Sequence, residues 1–134
     1  MKILTGFLLV ASASIFMGFT LINNAFNQDK WVAPVAAKEI KNPFTGDASI
    51  AKGKSIYVTR CVVCHGTTGA GDGPAGKALT PPAANHTADY VQNQTDGEIF
   101  WKISEGRGAM VGWKLILSEE DRWAVVNYIR TLAK

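Results

Sequence analysis

The sequence is poor in cysteine, histidine and net charge. Its 134 residues include two cysteines, two histidines and three methionines. Two cysteines cannot build the disulfide framework of a small secreted scaffold. Two cysteines and two histidines only just reach the four ligands of a structural zinc site. They lack the second cysteine pair that such sites use, and adjacent Cys64 and His65 suit a tetrahedron poorly. Net charge is only +3 and evenly spread. Residues 1–47 carry four Lys/Arg against three Asp/Glu, and residues 48–134 carry ten against eight. That balance makes no case for nucleic-acid binding. No convincing strand, internal repeat or low-complexity tract is visible. Without strands there is no βαβ context for a thioredoxin-like dithiol.

What is present begins with an uncharged run, "ILTGFLLVASASIFMGFTLI", at residues 3–22. About 20 apolar residues suffice to span a bilayer as a helix. Lys2 and the amino terminus precede the run, which predicts a cytoplasmic N-terminus and export of everything after Ile22. A cleaved signal peptide is the alternative. It has a shorter apolar region and ends in a small-residue cleavage site. Here "ASA" at 11–13 lies inside the run, and neither "NNAFNQ" nor "PVAA" makes a convincing site. The favoured reading is a signal-anchor or transmembrane helix at 1–22, and export follows either way. Residues 23–47 have no sustained periodicity and are broken by Pro34, Pro43 and Gly46, so a flexible tether is expected there. Trp31 and Phe26 suit either a membrane interface or the surface of the following domain.

From residue 48 to 134 the chain reads as helices joined by loops. "SIAKGKSIYVTRC" is expected to be a helix capped by Ser49 or Asp47. Residues 66–88 hold five glycines and three prolines and form a long loop. "TDGEIFWKISEG" opens with Thr95 and Glu98 at capping-box spacing and ends at Gly106, a natural C-cap. A second loop covers 106–117. "SEEDRWAVVNYIRTLAK" begins with Ser118 as N-cap and three acids that suit the helix dipole. The expected fold is all-α, with two glycine-rich loops in so small a domain that they must wrap or do something.

The two cysteines fall in "CVVCH", residues 61–65. A disulfide between Cys61 and Cys64 would close a very short loop and stabilise little. Covalent haem attachment accounts for all five positions, because Cys-x-x-Cys-His is the attachment signature of c-type haem. Positions i, i+3 and i+4 project to one side of a helix. Cys61 and Cys64 would then form the two thioethers, and His65 would reach the iron from the same segment. For the sixth ligand, Met110 is the candidate. Filler methionines normally lie on helix faces, whereas Met110 sits in the loop "GRGAMVGW". His86, in the polar loop "PPAANHTADY", reads as a surface residue and only a minor rival.

These motifs resemble the class I c-type cytochromes. The resemblance covers residues 48–134 and rests on "GKSIYVTRCVVCHG", "GAGDGPAG", "GRGAM" and "LSEEDRWAVVNYIRTL". It implies a small helical fold wrapping one haem c, with an N-terminal helix crossing the C-terminal one at Gly53, Tyr57 and Tyr128. It implies His65 and Met110 as axial ligands. Val111 stands where many members carry a proline. A proline carbonyl that accepts the ligand histidine's N–H is implied too, with Pro74 the candidate by position and Pro81 and Pro82 behind it. The anchor and tether are similar in position to those of membrane-bound monohaem cytochromes of bacterial respiratory chains.

A His/Met pair closes both axial positions, so the expectation is an electron carrier and not an enzyme. The partners implied are a quinol-oxidising complex and a terminal oxidase or reductase. The site implied is the periplasmic side of the inner membrane. A haem subunit of a larger redox complex and a haem-based sensor of small ligands are the alternatives. Trp113 is expected to line the haem crevice, and Trp101 and Trp123 to pack. Lys77, Lys102, Arg107 and Lys114 are expected to be a solvated face, since steering needs a clustered field.

Overall fold

The computed structural model describes residues 31–134. The apolar run expected to be a transmembrane helix lies outside the described residues, as does Phe26. Among the described residues no helix is long and apolar enough to cross a membrane. Among the described residues five helices follow one another: α1 (Asp47–Arg60), α2 (Val62–His65), α3 (Asp89–Gln92), α4 (Asp96–Glu105) and α5 (Glu119–Arg130). Short 3₁₀ turns stand at Val35–Glu39, Gly76–Ala78 and Trp113–Leu115. The only extended pairing among the described residues is an isolated bridge between Arg107 and Met110. The domain is therefore all-α, as its periodicities require.

The centre of the fold is the crossing of α1 and α5. Gly53 and Tyr57 are the buried residues of α1. A Cβ at Gly53 would overlap the carbonyl oxygen of Ala124 and press on Cβ of Tyr128. The missing side chain is thus what lets the two backbones touch. Tyr57 then packs edge-on against Tyr128, with ring centroids 5.1 Å apart. α5 buries Trp123, Val125, Val126, Tyr128 and Ile129, and α4 adds Ile99, Phe100 and Ile103. Trp123 lies flat on Phe100 at 3.9 Å. Arg122, also buried, covers the Phe100 ring and donates to the Ser104 hydroxyl, so its charge is not left without a polar partner.

The helix ends follow local chemistry. At α4 the Thr95 hydroxyl accepts from the Glu98 N–H, while the Glu98 carboxylate accepts from the Thr95 N–H. Gly106, at φ +68°, closes the helix. At α5 the Ser118 hydroxyl accepts from the Asp121 N–H. The cap expected at Ser49 or Asp47 of α1 is not made. Gly46 takes the N-cap position, because the Ser49 hydroxyl instead accepts a 2.8 Å bond from Asn127 of α5.

The stretch expected to be a flexible tether, 23–47, is anchored to the domain at several points within its described part, although most of its side chains are exposed. Ala33 and Ala37 are buried. The Ala37 and Ile40 carbonyls lie so close to Gly97 of α4 that no side chain would fit there. Asn42 donates to the Asn127 side chain at 2.6 Å, and Asn127 donates to the Phe44 carbonyl at 2.6 Å. Trp31 meets Trp101 edge-on at 6.2 Å, with Lys102 and Arg107 over its ring. Those two cations stand against an aromatic ring, and Lys114 pairs with Glu105. Residues 33–44 are thus a strap, held by close backbone contact at Gly97 and by the Asn127 amide.

Candidate haem site

Cys61 interrupts the helical run between α1 and α2. Its N–H donates to the Tyr57 carbonyl at 2.8 Å, and its own carbonyl accepts from the N–H groups of Cys64 and His65 at 3.1 and 2.9 Å. One helical turn therefore carries Cys61, Cys64 and His65 on one side. Cys61 and Cys64 are half-buried and form no disulfide with one another. Burial, with Cys64 adding a smaller effect, pushes the Cys61 thiol up to about 12.

The glycine-rich loop exists to fold back over this turn. Gly66 leaves α2 at φ +78°, and a Cβ there would overlap the Asp72 carboxylate. The chain then doubles back, so that Gly71 donates to the His65 carbonyl, Gly73 to that of Cys64 and Ala75 to that of Val63. A Cβ on Gly76 would overlap the Cys64 carbonyl oxygen. The loop thereby ties down the carbonyls of the CVVCH turn and stiffens it.

The His65 ring is buried, and its Nδ1 lies 2.9 Å from the Ala84 carbonyl oxygen. A carbonyl only accepts, so Nδ1 carries the proton and Nε2 carries the lone pair. Burial lowers the His65 pKa, which the Ala84 bond partly opposes. The expectation that Pro74 supplies this carbonyl, with Pro81 or Pro82 next, is corrected. Pro74 is exposed in the loop that caps Cys64. The Ala83 N–H donates to the Gly76 carbonyl, which lays the segment after Pro82 along His65 and brings Ala84 to its ring.

His86 is not the surface residue its polar loop suggests. It is only 8% exposed. Its ring stacks on that of His65, with centroids 4.0 Å apart and planes 18° from parallel. Its Nδ1 lies 3.0 Å from the Tyr57 hydroxyl. Burial first, and His65 second, hold its pKa well below the ordinary range. An imidazole in face-to-face contact with His65 could not bind a metal from the side opposite His65. Sequence reasoning missed the contact because nothing local marks it; Tyr57 lies 29 residues earlier.

Met110 sits in a tight turn after α4. Arg107 and Met110 exchange two backbone hydrogen bonds, at 2.9 and 3.0 Å. Gly106 and Gly112 bring the two ends of the turn together, since a Cβ on either would overlap backbone. The Met110 side chain is half-buried and packs on the same core as Cys61, Val62, Ala84 and Trp113. Val111 is about half exposed.

This donor set fits a covalent haem. Two unpaired thiols and an imidazole lone pair share one turn, and a thioether borders the same core. The cytochrome c family profile matches residues 50–133. The cytochrome c6 of Euglena gracilis is 31% identical over 81 residues, which cover 60% of this chain and 90% of that protein. The thiosulfate dehydrogenase of Stutzerimonas stutzeri is 45% identical over 102 residues, or 72% of this chain, but only 31% of that protein's length is covered. Among solved structures, the reducing HAO-like protein complex of Kuenenia stuttgartiensis is similar with a TM-score of 0.57 and 27% identity, over 70% of this chain and 46% of that one. With the CVVCH turn held as described, these findings lead to one conclusion: the chain belongs to the cytochrome c family and carries a haem c bound covalently through Cys61 and Cys64.

Proposed function

We propose that the protein is a membrane-tethered respiratory electron carrier with His65 and Met110 as axial ligands. Electron transfer is the function of the family. The observation that carries the ligand reading is the Nδ1–H bond of His65 to Ala84, which leaves Nε2 free to bind a metal. The haem, when bound, supplies a one-electron ferric/ferrous couple. The chain's residues set the terms of that couple. The Ala84 carbonyl fixes the tautomer of His65 and makes its Nε2 a stronger donor. A Met110 thioether raises the potential relative to a second imidazole. With both axial positions filled, no substrate reaches the iron, which suits a carrier and not a catalyst.

The membrane part of the reading rests on the uncharged run at 3–22 and its length. It places the haem domain on the periplasmic side of the inner membrane. The packed strap changes the expected reach. Only residues 23–32 separate the run from the strap, and they span at most about 35 Å. The domain therefore stays close to the bilayer, within reach of a quinol-oxidising complex and of a terminal oxidase or reductase beside it.

A second reading has one observation in its favour. The chain is 45% identical to a stretch of a thiosulfate dehydrogenase of which it covers only 31%. On that reading the chain is the haem subunit of a larger redox enzyme. Native mass after extraction in mild detergent separates the two, because a carrier elutes alone and a subunit with its partner.

Met110→Ala tests the ligand assignment. The ferric variant is expected to turn high-spin, lose the sulfur-to-iron charge-transfer band and drop in reduction potential. A low-spin spectrum with that band intact would remove Met110 from the site.

A further inference from the structure

We propose that His86 is a positioning residue for the axial ligand: its ring, anchored by Tyr57, lies flat on His65 and fixes the plane in which His65 presents Nε2. The proposal rests on the reading of His65 as an axial ligand. The hydrogen bond from Nδ1 to the Ala84 carbonyl, 2.9 Å long, holds one edge of the ring, but a hydrogen bond tolerates bending, so the ring can still rock about its Cβ–Cγ bond. A flat partner on the ring face removes this freedom. His86 is such a partner, 4.0 Å away and 18° from parallel.

His86 is itself held at three points. Its Nδ1 meets the Tyr57 hydroxyl at 3.0 Å. Its N–H donates to the Gly69 carbonyl at 2.6 Å, and its carbonyl accepts from the Gln92 amide at 2.6 Å. The same Gln92 amide reaches the Ile129 carbonyl of α5 at 3.0 Å. Tyr57 has no solvent exposure and packs edge-on against Tyr128 at the α1–α5 crossing. The orientation of the His65 ring is thus referred, through His86, to the two principal helices. An apolar side chain in place of His86 would fill the volume but leave a buried Tyr57 hydroxyl without this partner. The histidine does both jobs at once, as a flat surface for His65 and as the partner of Tyr57.

Substitutions separate these two roles in the ferric holoprotein. His86→Ala removes the ring and the anchor, His86→Phe keeps a flat ring, and Tyr57→Phe removes the anchor alone. The readout is the proton NMR pattern of the four haem methyl groups. Their hyperfine shifts follow the plane of the axial imidazole and are insensitive to a loss of stability alone. The expected result is a changed spread or order of the methyl shifts in His86→Ala, with haem content and the low-spin spectrum kept. His86→Phe and Tyr57→Phe should move the pattern less. A folded His86→Ala protein with the wild-type pattern would overturn the proposal. Should His86→Ala not fold, unchanged patterns in both His86→Phe and Tyr57→Phe would overturn it equally. A loss of the low-spin state in His86→Ala would show that the ring is needed for ligation itself, and would overturn a role confined to setting the plane of His65. The axial reading is checked separately, in the unmutated protein. Absence of the signals of a coordinated imidazole there would overturn that reading, and the proposal with it.

Discussion

Gly53 has no side chain because α5 leaves it no room. Its Cβ would meet the Ala124 carbonyl, which is backbone and cannot swing away. Gly53→Ala must therefore push α1 and α5 apart at the centre of the fold. Overpacking of this kind costs about 3 kcal/mol, on the order of 15 °C in thermal midpoint for a domain of this size. Circular dichroism melting of the holoprotein checks this, and a shift under about 4 °C would contradict the contact. A second pair spans the same two helices at the surface. Lys52 Nζ stands 2.7 Å from Asp121 and 3.1 Å from Glu120. The Lys52 ammonium first, and the Ser118 hydroxyl second, hold the Asp121 carboxyl below the usual range. Its folded pKa is below its unfolded one, so the unfolded chain takes up the proton first on acidification. The stabilisation is present above the ordinary carboxylate value of about 3.9 and is lost as pH falls through the folded value. At neutral pH an exposed pair contributes little. Thermal midpoints of wild type and Lys52→Gln should thus converge as pH falls below about 4, and parallel curves would count against the pair.

Elements whose signals are local were legible in the sequence. The capping box of α4 was visible as Thr95 and Glu98, and both of its hydrogen bonds are made. Thr95→Ala should cost about 1 kcal/mol, measured as a lower midpoint in denaturant titration. No loss would mean that tertiary packing alone holds α4 in place. The N-cap of α5, the glycine loop and the CVVCH turn were legible for the same reason. Elements built by distant partners were not. α3 is four residues long and has no pattern of its own; Gln92 at its end is tied to Ile129, and Arg130 reaches the Gln92 and Gln94 carbonyls. The strap at 33–44 has no periodicity because two buried alanines and the amide of Asn127, more than 80 residues away, hold it. In the site, Cys61, Cys64 and His65 were legible because one turn contains them all. The Ala84 carbonyl was not, since every residue carries a carbonyl and only the fold chooses which one meets a ring. His86 was read as a surface residue because its loop is polar, and its burial comes from Tyr57 on another helix.

At the scale of the molecule, two helices that touch through a glycine support everything else. α1 leads directly into the CVVCH turn, and Tyr57 within it links the crossing to His86 and His65. α4 leads directly into the turn that carries Met110, and the strap lies along its other side at Gly97. Both candidate ligands are thus mounted at the ends of well-capped or well-packed helices and not in free loops. Such a frame would hold an iron centre with little rearrangement, which suits the proposed electron carrier better than a ligand-binding sensor. The spectrum of the purified protein tests this most directly, recorded oxidised, dithionite-reduced and as the pyridine haemochrome. A covalently bound, six-coordinate, low-spin haem c in both oxidation states, with a sulfur-to-iron charge-transfer band in the ferric form, is the result predicted. A high-spin ferric spectrum, or a protein without covalent haem, would contradict the account.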